Sequence, residues 1–173
     1  AETIKTGLEA LKDQINKKTF KTKCEIGNLS AYWFGNHLYQ PLLHLSTSKL
    51  IDIEMPRSSS VRMGIDPETI SINHETGIVR YVVVARGPSA VNASYEGIRC
   101  ATGEYRVYAR QVQGNPWSPS GENDWKSMRG QTSIMVQHPF RLARDGICIG
   151  TGVRQTVADM VRELKSGNKT LYY

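Results

Sequence analysis

Residues 95–100, YEGIRC, bring an acid, a base, a tyrosine and a cysteine close together in the sequence. Side chains of these types serve as general acids, general bases and nucleophiles in many enzymes. Successive side chains of a β-strand point to opposite faces, so Glu96 and Cys100 share one face and Arg99 takes the other. The acid and the base therefore do not form a pair within the strand, and we expect these charges to order a sheet.

Each of the two charges needs a partner on a neighbouring strand. Arg80 is the predicted partner of Glu96, and Glu104 or Asp124 is the predicted partner of Arg99. An enzyme built around Glu96 and Arg99 is the alternative hypothesis, and it requires both side chains to converge in an open cleft. Strand alternation argues against that convergence.

No pattern in the sequence predicts a metal or a cofactor. The stretch GICIGTG at 146–152 lacks the Lys-Ser/Thr of a phosphate-binding loop, so we predict a short buried strand at 147–149. The histidines share no metal-binding spacing: they are His37, His44, His74 and His138. We therefore expect no metal and no cofactor, whereas a triad of distant Ser, His and Asp side chains stays an open alternative because such triads form in space rather than in sequence.

The three cysteines, Cys24, Cys100 and Cys148, have no CxxC spacing, which argues against a zinc site. An odd number leaves two interpretations. Either the chain has three free thiols in a reducing compartment, or it has one disulfide and one spare thiol in an oxidising one. Cys100 has no base near it in the sequence, so nothing there indicates a nucleophile.

The composition is that of one globular domain spanning residues 1–173. The chain has 173 residues, of which 39% are hydrophobic, and it contains no apolar run long enough to cross a bilayer. Its formal net charge is +6, which attracts nucleic acid, anionic lipid or acidic polysaccharide. The simplest interpretation of this charge is a basic, well-solvated surface.

Helices are predicted at both ends of the chain. An apolar stripe with helical spacing runs through Ile4, Leu8, Leu11 and Ile15. The rest of residues 1–48, from 24 onward, lacks a clear period and is predicted to be irregular. Near the other end, Thr156 is the predicted N-cap of the helix VADMVRELK, with Asp159 completing a loose capping box.

Between these ends, residues 49–112 are predicted to form an antiparallel β core. One hairpin joins TISI to IVRYVVVA and is closed by Gly77, and a second joins YEGIRC to YRVYA. Residues 113–173 are predicted to be a loop followed by the C-terminal helical region. The fold class is therefore α+β, an antiparallel sheet with the N-terminal and C-terminal helices packed on it.

The second hairpin also provides the candidate binding surface. Period-two alternation places Arg106, Tyr108 and Arg110 on its polar outer face, and the loop that follows carries Trp117 and Trp125. Exposed aromatic side chains beside arginine are common binding anchors. The alternative is that both tryptophans cover the core, and the sequence favours it more for Trp125 than for Trp117.

The segment GIVRYVVVARGPSAVNASYEGIRCATGEYRVYA resembles the CNP1-like family, which is named for cryptic neisserial protein 1. The family carries an RY-plus-apolar strand, a turn leading to N-x-S/T-Y-E-G-I-R-C, and a strand with the pattern Y-x-x-Y-A. Here these motifs are Arg80-Tyr81, residues 92–100, and Tyr105, Tyr108 and Ala109. The resemblance extends over about residues 49–165.

The resemblance implies a bacterial protein exported to the periplasm or cell surface, with its signal peptide removed. It also implies a disulfide between Cys100 and Cys148, because the family has a second cysteine toward its C-terminus, and Cys24 is then the spare thiol. No catalytic residue is carried over. We expect a non-enzymatic protein that binds a protein or other anionic partner. The alternative is a nucleic-acid-binding protein that uses its basic, aromatic sheet face.

Overall fold

The computed structural model describes three strands before residue 39, as backbone only, and most of residues 49–166 with side chains. The described ranges are 23–26, 29–34, 37–38, 49–55, 59–113, 115–122, 124–131, 133 and 136–166. The chain divides into two compact units, Ala1–Leu45 and Ser46–Tyr173, each with its own sheet. The predicted helix at 4–15 lies outside the described residues, and the single domain over 1–173 stays a prediction.

The first unit contains a three-stranded antiparallel sheet in the order β1-β2-β3. Its strands are β1 Lys23–Ile26, β2 Leu29–Phe34 and β3 His37–Leu38. The prediction of an irregular segment over 24–48 is therefore wrong for these residues. Strands of two to six residues offer too few positions to show a period-two pattern, which explains the error.

The second unit is built on a seven-stranded antiparallel sheet in the order β10-β8-β7-β6-β5-β4, with β9 also paired to β8. The strands are β4 Ile51–Ile53, β5 Arg62–Asn73, β6 Ile78–Arg86, β7 Val91–Arg99, β8 Glu104–Val112, β9 Ser118–Pro119 and β10 Lys126–Ser127. Strands β4 to β8 lie within residues 49–112, so the predicted β core is confirmed.

Both predicted hairpins are present. Gly77, at φ +64°, closes the turn between β5 and β6, and its N–H donates to the carbonyl oxygen of Asn73 at 2.8 Å. Gly103, at φ +66°, closes the turn between β7 and β8, and its N–H donates to the carbonyl oxygen of Arg99 at 3.0 Å. Glycine suits both positions because this backbone region is unfavourable for residues with a Cβ atom.

The core lies between one face of this sheet, called the inner face, and a helical segment. That segment comprises helix α1 His138–Leu142, a π-helical turn Ala143–Ile147, and helix α2 Val157–Ser166. Fully buried members of the core include Val79, Tyr81, Val83, Leu142, Ile147 and Met160. The second unit is thus mostly antiparallel sheet with two short helices among its described residues.

The C-terminal helix begins as predicted. The hydroxyl oxygen of Thr156 accepts from the backbone N–H of Asp159 at 3.1 Å, and the hydroxyl donates to the Asp159 carboxylate at 2.7 Å. The first of these bonds satisfies an N–H group at the start of the helix that has no intrahelical acceptor, and the second orients the hydroxyl.

The GICIGTG segment matches its prediction only in part. Ile147 is buried at the end of the π-helical turn, whereas Ile149 is 60% exposed. The strand is the short β11 Cys148–Ile149, which pairs with β12 Gly152–Val153. A Cβ atom at Gly146 would overlap the side chain of Leu164, so this glycine permits the close approach of α2 rather than phosphate binding.

A disulfide joins Cys100, at the end of β7, to Cys148 in β11, with their Cα atoms 5.7 Å apart. The pairing implied by the family resemblance is therefore confirmed. It closes a loop with a sequence separation of 48 and ties the helical segment to the sheet. Cys24 is the remaining cysteine of the chain.

Replacing both Cys100 and Cys148 by serine should lower the free energy of unfolding by about 4 kcal/mol, because the unfolded chain regains the entropy of the open loop. Chemical denaturation measures the difference, and Cys24→Ser is the control that keeps the disulfide. Thiol counting on unreduced, denatured protein from its native source should find one thiol per chain. Three thiols would contradict the disulfide.

Candidate functional site

The face of the sheet opposite the core, called the outer face, is organised by a β-bulge in β8. Tyr95 lies opposite Ala109, and Glu96 lies opposite Val107, so Tyr108 is the extra residue of the bulge. A bulge reverses the alternation of the residues beyond it. Side-chain faces in β8 therefore cannot be read from a simple period of two.

The bulge separates two arginines that were predicted to share a face. Arg106 lies opposite Gly97 on the outer face, whereas Arg110 lies opposite Ser94, whose hydroxyl donates to Glu96 on the inner face. Arg110 is exposed, but it does not belong with Arg106 and Tyr108. The prediction of one surface containing Arg106, Tyr108 and Arg110 is therefore wrong for Arg110.

Tyr108 lies over the backbone of Gly97 and is only 8% exposed. Its ring centroid is 5.6 Å from that of Tyr95, and it meets the ring of Trp125 edge-on at 6.5 Å. A glycine at position 97 leaves the space that the ring occupies. Tyr108 is thus the packed centre of the outer face rather than an exposed anchor, which corrects its predicted role.

Three arginines surround these rings. The Cζ atoms of Arg80 and Arg106 lie 5.6 and 5.1 Å from the centroid of Tyr108, and Cζ of Arg99 lies 4.2 Å from that of Trp125. All three distances are within the range of cation–π interactions. We call this set the Arg–aromatic cluster: Arg80, Arg99, Arg106, Tyr95, Tyr108 and Trp125.

The cluster carries an excess of positive charge. It contains three guanidinium groups, and Glu104 makes an ion pair with Arg99 at 3.4 Å. Counting Glu104 leaves a formal charge of +2 on the cluster and this neighbour. Glu104 was one of the two partners predicted for Arg99, so this part of the ion-pair prediction is realised.

Trp117 is not part of an exposed surface. It is 8% exposed, and its Nε1 is buried without a hydrogen-bond partner. Trp125 is half-buried and lies within the cluster. The burial of Trp117 contradicts its predicted place on the binding surface, and Trp125, for which a covering role was favoured, lies in the cluster instead. Both tryptophans follow β8 in an irregular stretch, where spacing carries no information about burial.

The partner of Glu96 is His138, not Arg80. Oε2 of Glu96 lies 2.7 Å from Nε2 of His138, and it accepts from the Tyr81 hydroxyl at 3.3 Å; Oε1 accepts from the Ser94 hydroxyl at 2.5 Å. Arg80 lies opposite Gly97 on the outer face, so strand alternation keeps it away from Glu96. A buried carboxylate on the inner face requires a polar partner, but nothing in the sequence identifies a histidine 42 residues away.

The buried polar group formed by Glu96, His138, Tyr81 and Ser94 shifts the pKa of Glu96. Burial alone would raise the pKa of Glu96, but the charge and hydrogen bond of His138, with the bonds from Ser94 and Tyr81, hold this pKa below its ordinary value of 4.5. Burial and the neighbouring Glu96 raise the pKa of Tyr81 well above 10.0.

A substrate has no access to this group, because Glu96, His138 and Tyr81 are only 2%, 6% and 0% exposed. Glu96 and Arg99 lie on opposite faces, as predicted, so they do not converge in a cleft. Within the described ranges, no three histidine, cysteine or acidic side chains come together as a metal site. None of the helices described there has the length and apolar character required to cross a membrane.

A model of the CNP1-like family matches residues 31–165, which include both hairpins, the disulfide and His138. The match spans most of the chain, and the chain therefore belongs to the CNP1-like family. No curated protein and no solved structure matches it.

Acidification should destabilise the protein through Glu96. The pKa of Glu96 lies below 4.5 in the folded state, so the unfolded state is protonated at Glu96 first as the pH falls. The stabilisation by the Glu96 carboxylate is therefore complete above pH 4.5 and is lost as the pH falls through the folded-state pKa. Glu96→Gln should remove this part of the pH dependence and lower the free energy of unfolding at neutral pH by about 3 kcal/mol.

Urea denaturation across the acidic range measures this effect, with the exposed Glu68→Gln as the control variant. Glu68→Gln keeps the buried carboxylate, so this variant should retain the acid-induced loss of stability that Glu96 causes. Parallel curves for wild type and Glu96→Gln would contradict the role of the buried carboxylate.

Gly97→Ala should disturb the Arg–aromatic cluster. The new Cβ atom would lie 2.9 Å from Cε2 and from the hydroxyl oxygen of Tyr108, so the ring must move, at a cost of about 1–3 kcal/mol in stability. Near-ultraviolet circular dichroism should change with the aromatic packing. The control is Gly87→Ala, where the nearest atom is 3.5 Å away; equal effects of both substitutions would contradict this packing role.

Proposed function

We propose that this member of the CNP1-like family is a non-enzymatic binding protein of the bacterial cell envelope, whose Arg–aromatic cluster binds an acidic protein surface. The observation that carries the proposal is the grouping of Arg80, Arg99 and Arg106 around Tyr108 and Trp125. Three guanidinium groups held on one sheet face form a positive surface of defined geometry.

Stacked arginines suit this role for a geometric reason. A guanidinium group that lies against an aromatic ring uses its flat face, and its N–H donors, which lie in the guanidinium plane, stay directed past the ring. Those donors match the two oxygens of a carboxylate in a bidentate arrangement. Packing against Tyr108 and Trp125 also restricts the side-chain rotamers before the partner arrives, which reduces the entropy lost on binding.

The same arrangement disfavours the alternative of nucleic-acid binding. Sequence-tolerant binding of single strands depends on open aromatic faces on which bases stack. Tyr108 is packed over Gly97 and lies beside Arg80 and Arg106, and Arg99 covers one face of Trp125. An acidic partner needs the arginine edges rather than the ring faces, so it fits the cluster better than a base does.

The disulfide and the family support the envelope compartment in this proposal. Disulfides form and persist in oxidising environments such as the periplasm and the cell surface, and they are rare in the cytosol of mesophiles. The Cys100–Cys148 bond is therefore compatible with an exported protein. The family resemblance implies the same location.

The triple variant Arg80→Gln/Arg99→Gln/Arg106→Gln should weaken binding of a labelled polyglutamate peptide by about tenfold or more. Each partly exposed ion pair contributes up to about 1 kcal/mol, so three together can reach the roughly 1.4 kcal/mol that corresponds to a tenfold change. Fluorescence anisotropy at low salt measures the affinity. Thermal unfolding checks that the variant remains folded.

The matched control is Arg62→Gln/Arg110→Gln/Arg162→Gln, which removes the same charge from exposed sites outside the cluster. Equal weakening by both triple variants would mean that only net charge matters, and the proposal would fail. An oligothymidine that binds far more tightly than an abasic strand of the same length would instead indicate base stacking, and the nucleic-acid alternative would replace the proposal.

A further inference from the structure

A second basic site lies in a cavity of about 400 Å³ beside α1 and the π-helical turn. Its polar lining includes three arginines and two glutamines, and Phe140 supplies an aromatic wall. The residues that matter for its chemistry are Arg129, Arg141, Arg144, Gln131, Gln137 and Phe140. Cavities of this volume commonly accommodate small ligands.

The wall opposite α1 is a turn that hydrogen bonds hold in place. The backbone N–H of Met128 donates to the carbonyl oxygen of Gly103 at 2.9 Å, which attaches the turn to the sheet. The side-chain amide of Gln131 donates to the carbonyl oxygen of Ser127 at 2.9 Å, and that of Gln137 donates to the carbonyl oxygen of Gln131 at 3.1 Å. The two walls are thus joined directly by a hydrogen bond.

The arginines of this cavity are incompletely neutralised. Arg144 binds Asp145 through Nε and Nη2 at 2.6 and 3.0 Å, and Arg141 lies 4.0 Å from Glu54. No carboxylate among the described residues makes an ion pair with Arg129, which is exposed. Asp145 and Glu54 lie outside the lining but offset part of the charge of Arg144 and Arg141, so Arg129 is the lining arginine that no described carboxylate pairs.

Phe140 adds an apolar element to this charged site. It is 40% exposed, and it stands on α1, where it lines the cavity together with the arginines. An apolar surface with a few convergent polar groups is the usual composition of a small-molecule site. A ligand that matches both elements carries an anionic group at one end and an aromatic or apolar body at the other.

We infer that this cavity binds a small soluble molecule in which a phosphate or carboxylate is attached to an aromatic or apolar body. The site is independent of the Arg–aromatic cluster, because α1 packs on the inner face through Leu142 while the cluster lies on the outer face. Arg129 and Arg144 bind the anion, and Phe140 contacts the body.

Phenyl phosphate and benzoate are suitable probes, titrated into the full chain and followed by calorimetry. At least one should bind saturably at a single site, and Arg129→Gln/Arg144→Gln should weaken this binding at least tenfold. The matched control is Arg110→Gln/Arg162→Gln, which removes the same charge elsewhere and should leave the affinity within about twofold, the size of a long-range charge effect at moderate salt.

Phe140→Ser tests the apolar part of the site. It should weaken the binding of phenyl phosphate but leave the weaker binding of inorganic phosphate unchanged, because only the first probe has an aromatic body. The triple variant of the Arg–aromatic cluster should bind phenyl phosphate as the wild type does, which keeps this inference separate from the proposed function.

Several results would overturn the inference. These are the absence of saturable binding by both probes, equal weakening in the Arg110 and Arg162 control, or no effect of Phe140→Ser on phenyl phosphate. Vesicles of phosphatidylcholine and phosphatidic acid present the same phosphate monoester on a lipid. They should not displace phenyl phosphate; displacement would contradict the assignment to a soluble molecule.

Discussion

The alternation of side chains along β7 is the constraint that links the two faces of the sheet. On the inner face, Glu96 meets His138, and Cys100 is bonded to Cys148. On the outer face, Gly97 leaves room for the ring of Tyr108, around which the arginines gather. A shift of β7 by one residue would exchange these faces, placing the acid among the arginines and removing both attachments of the helical segment.

The distance between the two attachment points is also similar on the strand and on the helical segment. Glu96 and Cys100 are four residues apart in an extended strand, a distance of about 13 Å. His138 and Cys148 are ten residues apart in a mostly helical segment, a distance of about 15 Å. The segment is thus attached to β7 at both ends, by an ion pair and by a disulfide, and between them Arg141 of α1 lies 4.0 Å from Glu54, which follows β4. The helical segment therefore has a defined position on the core.

The basic character of the chain is distributed in two places with different chemistry. On the outer face, arginines lie against aromatic rings and present an extended charged surface, which suits a macromolecular partner. Beside α1, arginines line a cavity with Phe140, which suits a small molecule. Other arginines have local carboxylates, such as Arg154 with Glu163 and Arg162 with Asp159. The formal charge of +6 is thus concentrated in part at sites with defined geometry.

The sequence by itself determined the local elements: both hairpins, with Gly77 closing the first, the capped helix at Thr156, and the separation of Glu96 from Arg99. These follow from turn chemistry and short-range periodicity, which involve neighbouring residues only. The tertiary structure alone decided the partner of Glu96, the burial of Trp117 and the face of Arg110. His138 is distant in sequence, Trp117 lies in an irregular stretch, and a bulge at Tyr108 changes the alternation without a sequence signal of its own. Such features arise from packing between elements, and a period within one strand cannot encode them.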